Sequence, residues 1–257
     1  MSDNVHLIKD KIFKKNIVKI NFVRETNKNE ITKLNMLTHI LLISSQKYKT
    51  EREILYKSKE LYGLSMESFV SIYGKYSILS FKFVFLKDDY TELNNSDKIL
   101  DFIKELIFNP NVKNKKFAKK IFELAKNEVI DEIKTNRENK GAYSRIKMLQ
   151  NMDPDSPAAI DLVGNMDDLE KITTENLYQF YLDVFKNSVI DTFVFGSLDI
   201  NKLSFLEKNN HQKNNDYIYC SKVREPKVFI ERDKINQSKL VIGYNMVDMT
   251  PREAEYA

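Results

Sequence analysis

Along NIVKINFVR, residues 16 to 24, Val18, Ile20 and Phe22 alternate with Lys19 and Asn21, the two-residue period of a strand with one buried face. From Glu30 to Ile43 the period changes. Ile31, Leu34, Leu37 and Leu41 recur at helical spacing, and Met36, Ile40 and Ile43 widen the apolar stripe, which predicts a mostly buried helix. Polar residues on such a helix need a reason to be there, and Asn35, Thr38 and His39 are the ones that stand out. A second helix is expected over Thr50 to Tyr62, with Thr50 as N-cap, Glu53 three residues on completing a capping box, and Gly63 as the stop. Residues 65 to 73 and 76 to 86, rich in Phe, Ile, Val, Ser and Tyr and divided by Gly74-Lys75, read as a hairpin.

Helices are expected next at 96 to 109 and 114 to 150, the second long, charged, broken or bent, and ending before Pro154 and Pro157. Another covers Thr174 to Phe185. Residues 188 to 195 form a strand running into Gly196, and Asn201 to Glu207 start a short helix. That order predicts an α+β fold, with an antiparallel or mixed sheet and helices packed on one face.

Residues 208 to 216, KNNHQKNND, carry no apolar side chain and read as a linker. The expected organisation is one α+β domain over 1–207, a linker over 208–225, and the start of a second domain over 226–257. Lys227 to Glu231 and Lys239 to Tyr244 look like strands of new sheet material. PREAEYA then ends the chain where a helix pattern begins, so the expectation is a fragment whose second domain is cut off.

With 257 residues, 42% of them hydrophobic, the chain can bury a substantial core. Lys+Arg 41 against Asp+Glu 37 leaves +4, with the signs interleaved. Seven of the cations are Arg, and Lys lacks the planar fork that favours phosphate and base recognition, so no nucleic-acid partner is expected. No signal-peptide pattern and no spanning run of about 18 apolar residues is present, which predicts a cytoplasmic protein with no membrane partner. The single cysteine, Cys220, allows no intrachain disulfide and makes no zinc site by itself.

Candidate chemistry is sparse. His6, His39 and His211 are separated by tens of residues, and there is no GxSxG, GxGxxG or GxxxxGK[ST] element. His39 is the histidine on the buried face of a helix, beside Thr38 and one turn beyond Asn35. One imidazole cannot hold catalytic zinc, which takes about three protein ligands and an open position for water. Glu132, on the long helix, is the candidate for help from elsewhere.

The stretch LNMLTHILLISSQKYKTEREILYKSKELYGLSMESFVSIYGKYSILSF resembles the region around the inverted zinc motif HxxEH of the insulinase/pitrilysin metallopeptidases. LIFNP, FAKKIFELAKNEVIDEI, GNMDDLEKITTENLYQFYLDVF and FVFGSLDI continue the resemblance in order and spacing over residues 15 to 205. It implies an insulinase-like domain from the N-terminal half of a bacterial member. Placed on the motif, Asn35-Met36-Leu37-Thr38-His39 retains only the second histidine. Asn35 stands where the first zinc ligand would be, and an amide carbonyl is a poor substitute for imidazole. Thr38 stands where the general-base glutamate would be, and a hydroxyl cannot take a proton from metal-bound water at neutral pH. Glu132, in EVIDE, is the weak candidate for the third ligand.

The resemblance thus implies a degenerate site with no catalytic residue and no bound cofactor. Some members of the family pair a degenerate subunit with a catalytic one around a peptide, and the leading expectation is such a non-catalytic subunit or scaffold, partnered by a catalytic homologue in a heterodimer. Two alternatives stay open: an active zinc endopeptidase that draws on His39, Glu132 and ligands from a partner or the missing half, and a plain interaction module.

Overall fold

A computed structural model describes residues 4–92, 94–206, 222, 224–232 and 236–244. Its frame is a five-stranded sheet in the order β1-β7-β2-β4-β3, built from β1 (Val5–Lys9), β2 (Lys15–Glu25), β3 (Ser65–Tyr73), β4 (Tyr76–Leu86) and β7 (Val189–Gly196). β2, β4 and β3 form an antiparallel run and β2 also pairs antiparallel with β7, whereas β1 joins β7 in parallel, so the sheet is mixed. The alternation read from NIVKINFVR holds: Val18, Ile20 and Phe22 are fully buried. They share one face with Leu79, Phe81, Phe83, Phe85, Ile190 and Val194, all of them buried.

That face is covered by α1 (Ile31–Ile43), together with α3 (Asn95–Phe108), α4 (Lys119–Glu138) and α7 (Thr174–Asn187). α1 is apolar nearly all round, which forces it into the interior: Leu37 and Leu41 are fully buried, and Ile31, Leu34 and Ile40 are 1% exposed. Each such side chain contributes about 1.5–3 kcal/mol on burial, enough to outweigh the modest helix propensity of its β-branched residues. α2 (Glu51–Glu60) starts on the expected capping box between Thr50 and Glu53. It stops at Gly63, which adopts φ +71, a conformation that glycine reaches without strain.

Three expectations change. The helix placed from 114 begins at Lys119, because 112–117 folds as a small hairpin of β5 (Val112–Lys113) and β6 (Lys116–Phe117). Asn114 and Lys115 both take positive φ, the backbone of a tight two-residue hairpin turn. The long helix is broken, as expected, at Asn139, whose side chain caps α5 (Lys140–Met152) by accepting from the Ala142 N–H. β1 and the short α6 (Met166–Glu170) were not foreseen.

The third change is at the C-terminal end. Neither 227–231 nor 239–244 forms a strand; Val228, Ile230 and Leu240 are 88%, 80% and 85% exposed, with no sheet among the described residues to take their alternating apolar face. The linker expected at 208–225 lies outside the described residues except for Lys222, Arg224 and Glu225, and so do His211, Cys220 and 245–257. Arg224 reaches back to Asp153 and Asp155 at the end of α5, and Tyr143 donates to Glu231.

Candidate functional site

α1 carries Asn35 and His39 toward α4, and the fold brings Glu132, 97 positions beyond Asn35, to meet them. The Asn35 Nδ2 donates to Glu132 Oε2 at 2.8 Å, and His39 Nε2 lies 3.2 Å from the same oxygen. Glu132, Asn35 and His39 thus form a hydrogen-bonded cluster.

The orientation of the Asn35 amide follows from its neighbours. Nδ2 also reaches the Val163 carbonyl at 3.1 Å, and Oδ1 lies 3.3 Å from the Thr38 hydroxyl. Carboxylate and carbonyl oxygens accept only, so the nitrogen must face them. Asn35 is 6% exposed, and both of its N–H groups are used: one side chain joins α1, α4 and the loop before α6. Thr38 is turned inward as well. Its hydroxyl donates to the Asn35 backbone carbonyl at 2.7 Å, the back-bonding a helical threonine makes when nothing else claims its proton. The Thr38 carbonyl in turn accepts from Ser68 Oγ on β3 at 2.9 Å.

A second carboxylate stands behind the first. Asp161 accepts from the Asn136 amide, one turn beyond Glu132 on α4, and from the Val163 N–H. The two acids shift in opposite directions. The hydrogen bond to His39, joined by that to Asn35 and working against burial, holds the Glu132 carboxyl below the usual range. Burial, with the nearby negative charge of Glu132, raises Asp161 against its two hydrogen bonds.

The loop that supplies the Val163 carbonyl comes close to α1 because of Gly164. Its φ is +89, and a Cβ there would stand 2.9 Å from the Thr32 Cα. The Thr32 hydroxyl accepts from the Asn165 N–H and so seats the start of α6 on α1. Sequence reasoning missed Asp161, Asn136 and this backbone acceptor. The available signal was Gly164 followed by the N-cap residue Asn165.

These residues do not fit catalytic zinc. Two side chains, His39 and Glu132, could act as ligands, where about three are needed. Asn35 turns its N–H groups, rather than a lone pair, toward Glu132, and the Thr38 hydroxyl is already committed to its own helix. Among the described residues no group of three or more His, Cys, Asp or Glu has an arrangement that could hold a metal ion.

No family model matches the chain. Over 255 residues it is 25% identical to a probable inactive metalloprotease, YmfF, of Bacillus subtilis, covering 93% of this chain and 58% of that protein. The chain therefore spans little more than half the length of this relative. Among solved structures it is similar to a conserved protein from Enterococcus faecalis, with TM-score 0.73 and 24% identity over 79% of this chain and 48% of the other. An inactive peptidase M16 domain from Pseudomonas fluorescens superposes with TM-score 0.59 at 14% identity, covering 79% of this chain and 46% of that one. The periplasmic protease PqqL of Escherichia coli gives 0.63 at 13% identity, over 91% of this chain and 25% of that one.

Proposed function

Starting from a chain that is an insulinase-like α+β domain, similar in sequence to an inactive metalloprotease, we propose that it works as a non-catalytic subunit. In this reading it forms one wall of a peptide-binding chamber whose other wall is a catalytic homologue. The observation that carries the reading is the closed Asn35–Glu132–His39 network, in which hydrogen bonds satisfy the positions that a peptidase would leave to zinc, water and a base. Such a site has no means of activating water, and its polar groups are spent on holding helices together.

The wall itself is supported by β3. It is the last strand of the sheet, linked to α1 through Ser68 and Thr38, so its outer edge runs beside the degenerate motif. An edge strand offers unpaired N–H and C=O groups to an extended peptide, which binds by adding itself to the sheet. Phe69 and Tyr73, 37% and 66% exposed, flank that edge with apolar surface.

The test is reconstitution. The chain, in its longest natural form, is mixed at micromolar concentration with an HxxEH-bearing homologue from the same organism and passed over a sizing column; cleavage of an unstructured peptide is then measured for each protein alone and for the pair. A stable complex, with cleavage by the pair and none by this chain alone, is expected. Cleavage by this chain alone, or no complex, overturns the proposal.

A further inference from the structure

At the corner of the sheet where β2 begins, the bend between β1 and β2 holds two large apolar side chains out in water. Ile12 is 86% exposed and Phe13 61%, and Ile8, on β1, is 55% exposed. The display is fixed in place. The Asp10 carboxylate accepts from the Phe13 N–H at 2.8 Å, and the Lys87 ammonium donates to the Asp10 carbonyl at 2.8 Å while lying 3.4 Å from its carboxylate. The Lys87 N–H is hydrogen-bonded to the Lys14 carbonyl, and the Asp10 N–H to that of Gly196. The Phe13 ring contacts Phe195 at 5.9 Å, and Phe195 is in register with Ile8 and Ile17 on the neighbouring strands.

Four lysines surround the apolar tip: Lys9, Lys11, Lys14 and Lys15, all exposed. Lys14 lies over the ring of Tyr90, which is itself 49% exposed. The acid within this loop, Asp10, has its charge offset by Lys87, with side chains 10% and 5% exposed. Asp88 is engaged by Ser96, which leaves Asp89 as the exposed acid beside Tyr90. The tip is therefore strongly cationic with an apolar point.

We propose that the 9–15 loop is a docking element for an anionic lipid surface, with Ile12 and Phe13 entering the headgroup boundary and the four lysines lying against the lipid charges. The geometry favours a bilayer over a protein face. A stable protein interface needs about 800 Å² from each partner, whereas two side chains on a convex bend supply a few hundred at most. A fluid interface closes around such a point without a preformed pocket. Lysine suits a diffuse anionic leaflet as a point charge, and each one near the surface strengthens binding roughly fivefold, an effect that salt screens. The expectation of no membrane partner rested on the absence of a spanning segment; among the described residues no helix is long and apolar enough to cross a bilayer, and a surface contact does not require one.

Vesicle co-sedimentation tests this with the whole chain, using phosphatidylcholine vesicles with and without phosphatidylserine at low salt. The expected result is pelleting with phosphatidylserine vesicles only, lost as salt is raised. Ile12→Ser/Phe13→Ser and Lys11→Glu/Lys14→Glu should each weaken it by about tenfold or more. Both double variants change exposed side chains, so an unaltered unfolding midpoint is the control for folding. Failure to pellet with phosphatidylserine vesicles, or equal pelleting of the variants, overturns the proposal. So does loss of a protein complex, instead of vesicle binding, in Ile12→Ser/Phe13→Ser.

Discussion

The α1–α4 junction and the β1–β2 corner are both held by hydrogen bonds between a carboxylate and its neighbours, but to opposite ends. At the junction, Glu132 draws Asn35 and His39 inward until the Asn35 amide is 6% exposed. At the corner, the Asp10–Lys87 pair fixes a bend so that apolar side chains project into water. In the first region polar residues are held in the interior, and in the second apolar residues stand where polar ones would be cheaper to keep. At the junction the buried polar side chains of Asn35 and Thr38 are hydrogen-bonded, which offsets the cost of their burial, whereas the apolar side chains at the corner leave their surface in water.

The junction is the region that breaks most easily. Asn35→Asp removes both N–H donors and sets a carboxylate against Glu132, so it should cost about 3 kcal/mol or more in urea unfolding, partly recovered in acid. Asn35→Ala should cost less, since it leaves acceptors unpaired without adding charge. Equal losses for the two variants would show that the amide is a spacer and that the network is incidental.

Gly164→Ala comes next, at about 2 kcal/mol by thermal unfolding, because the residue sits at φ +89 with the Thr32 backbone 2.9 Å from the added carbon. A change within about 0.5 kcal/mol would mean that the loop can move off α1, and that the Val163 carbonyl is not essential to the junction.

The smallest effect is one of pH. The Glu132 pKa is lowered from 4.5 on folding, so its contribution is complete above pH 4.5 and is lost as pH falls through the lowered value. Asp161 has the opposite sign: its pKa is raised from 3.8, so the folded form gains stability as pH falls through the raised value toward 3.8. Glu132→Gln should be less stable than the wild type by about 1 kcal/mol or less near neutrality, given that its side chain is 44% exposed. That gap should narrow once pH drops below 4.5. A gap independent of pH would show that the carboxylate charge contributes nothing there.

Much of this was legible in the chain before folding. α1 announced itself because apolar residues cover it on all sides, which made Asn35, Thr38 and His39 conspicuous. The β3–β4 hairpin was legible from Gly74-Lys75, and α2 from the Thr50–Glu53 box. β1 was not: VHLIK is short, carries His6 and Lys9, and pairs in parallel with a strand about 190 residues away, so no local turn marks it. Glu132 could be singled out as a candidate partner for His39, but nothing along the charged helix showed that α1–α4 packing would also bring it to the Asn35 amide. The Val163 carbonyl could not be foreseen from side-chain chemistry, since it depends on how closely a glycine lets one backbone approach another. The runs at 227–231 and 239–244 show the converse failure, where a strand pattern is present and no partner strand is supplied among the described residues.

Zinc per chain, measured by elemental mass spectrometry after incubation with zinc and extensive dialysis, tests the non-catalytic reading most directly when wild type is compared with His39→Ala. The closed network predicts zinc near zero in both; stoichiometric zinc in the wild type, lost in His39→Ala, would contradict it and restore a peptidase site.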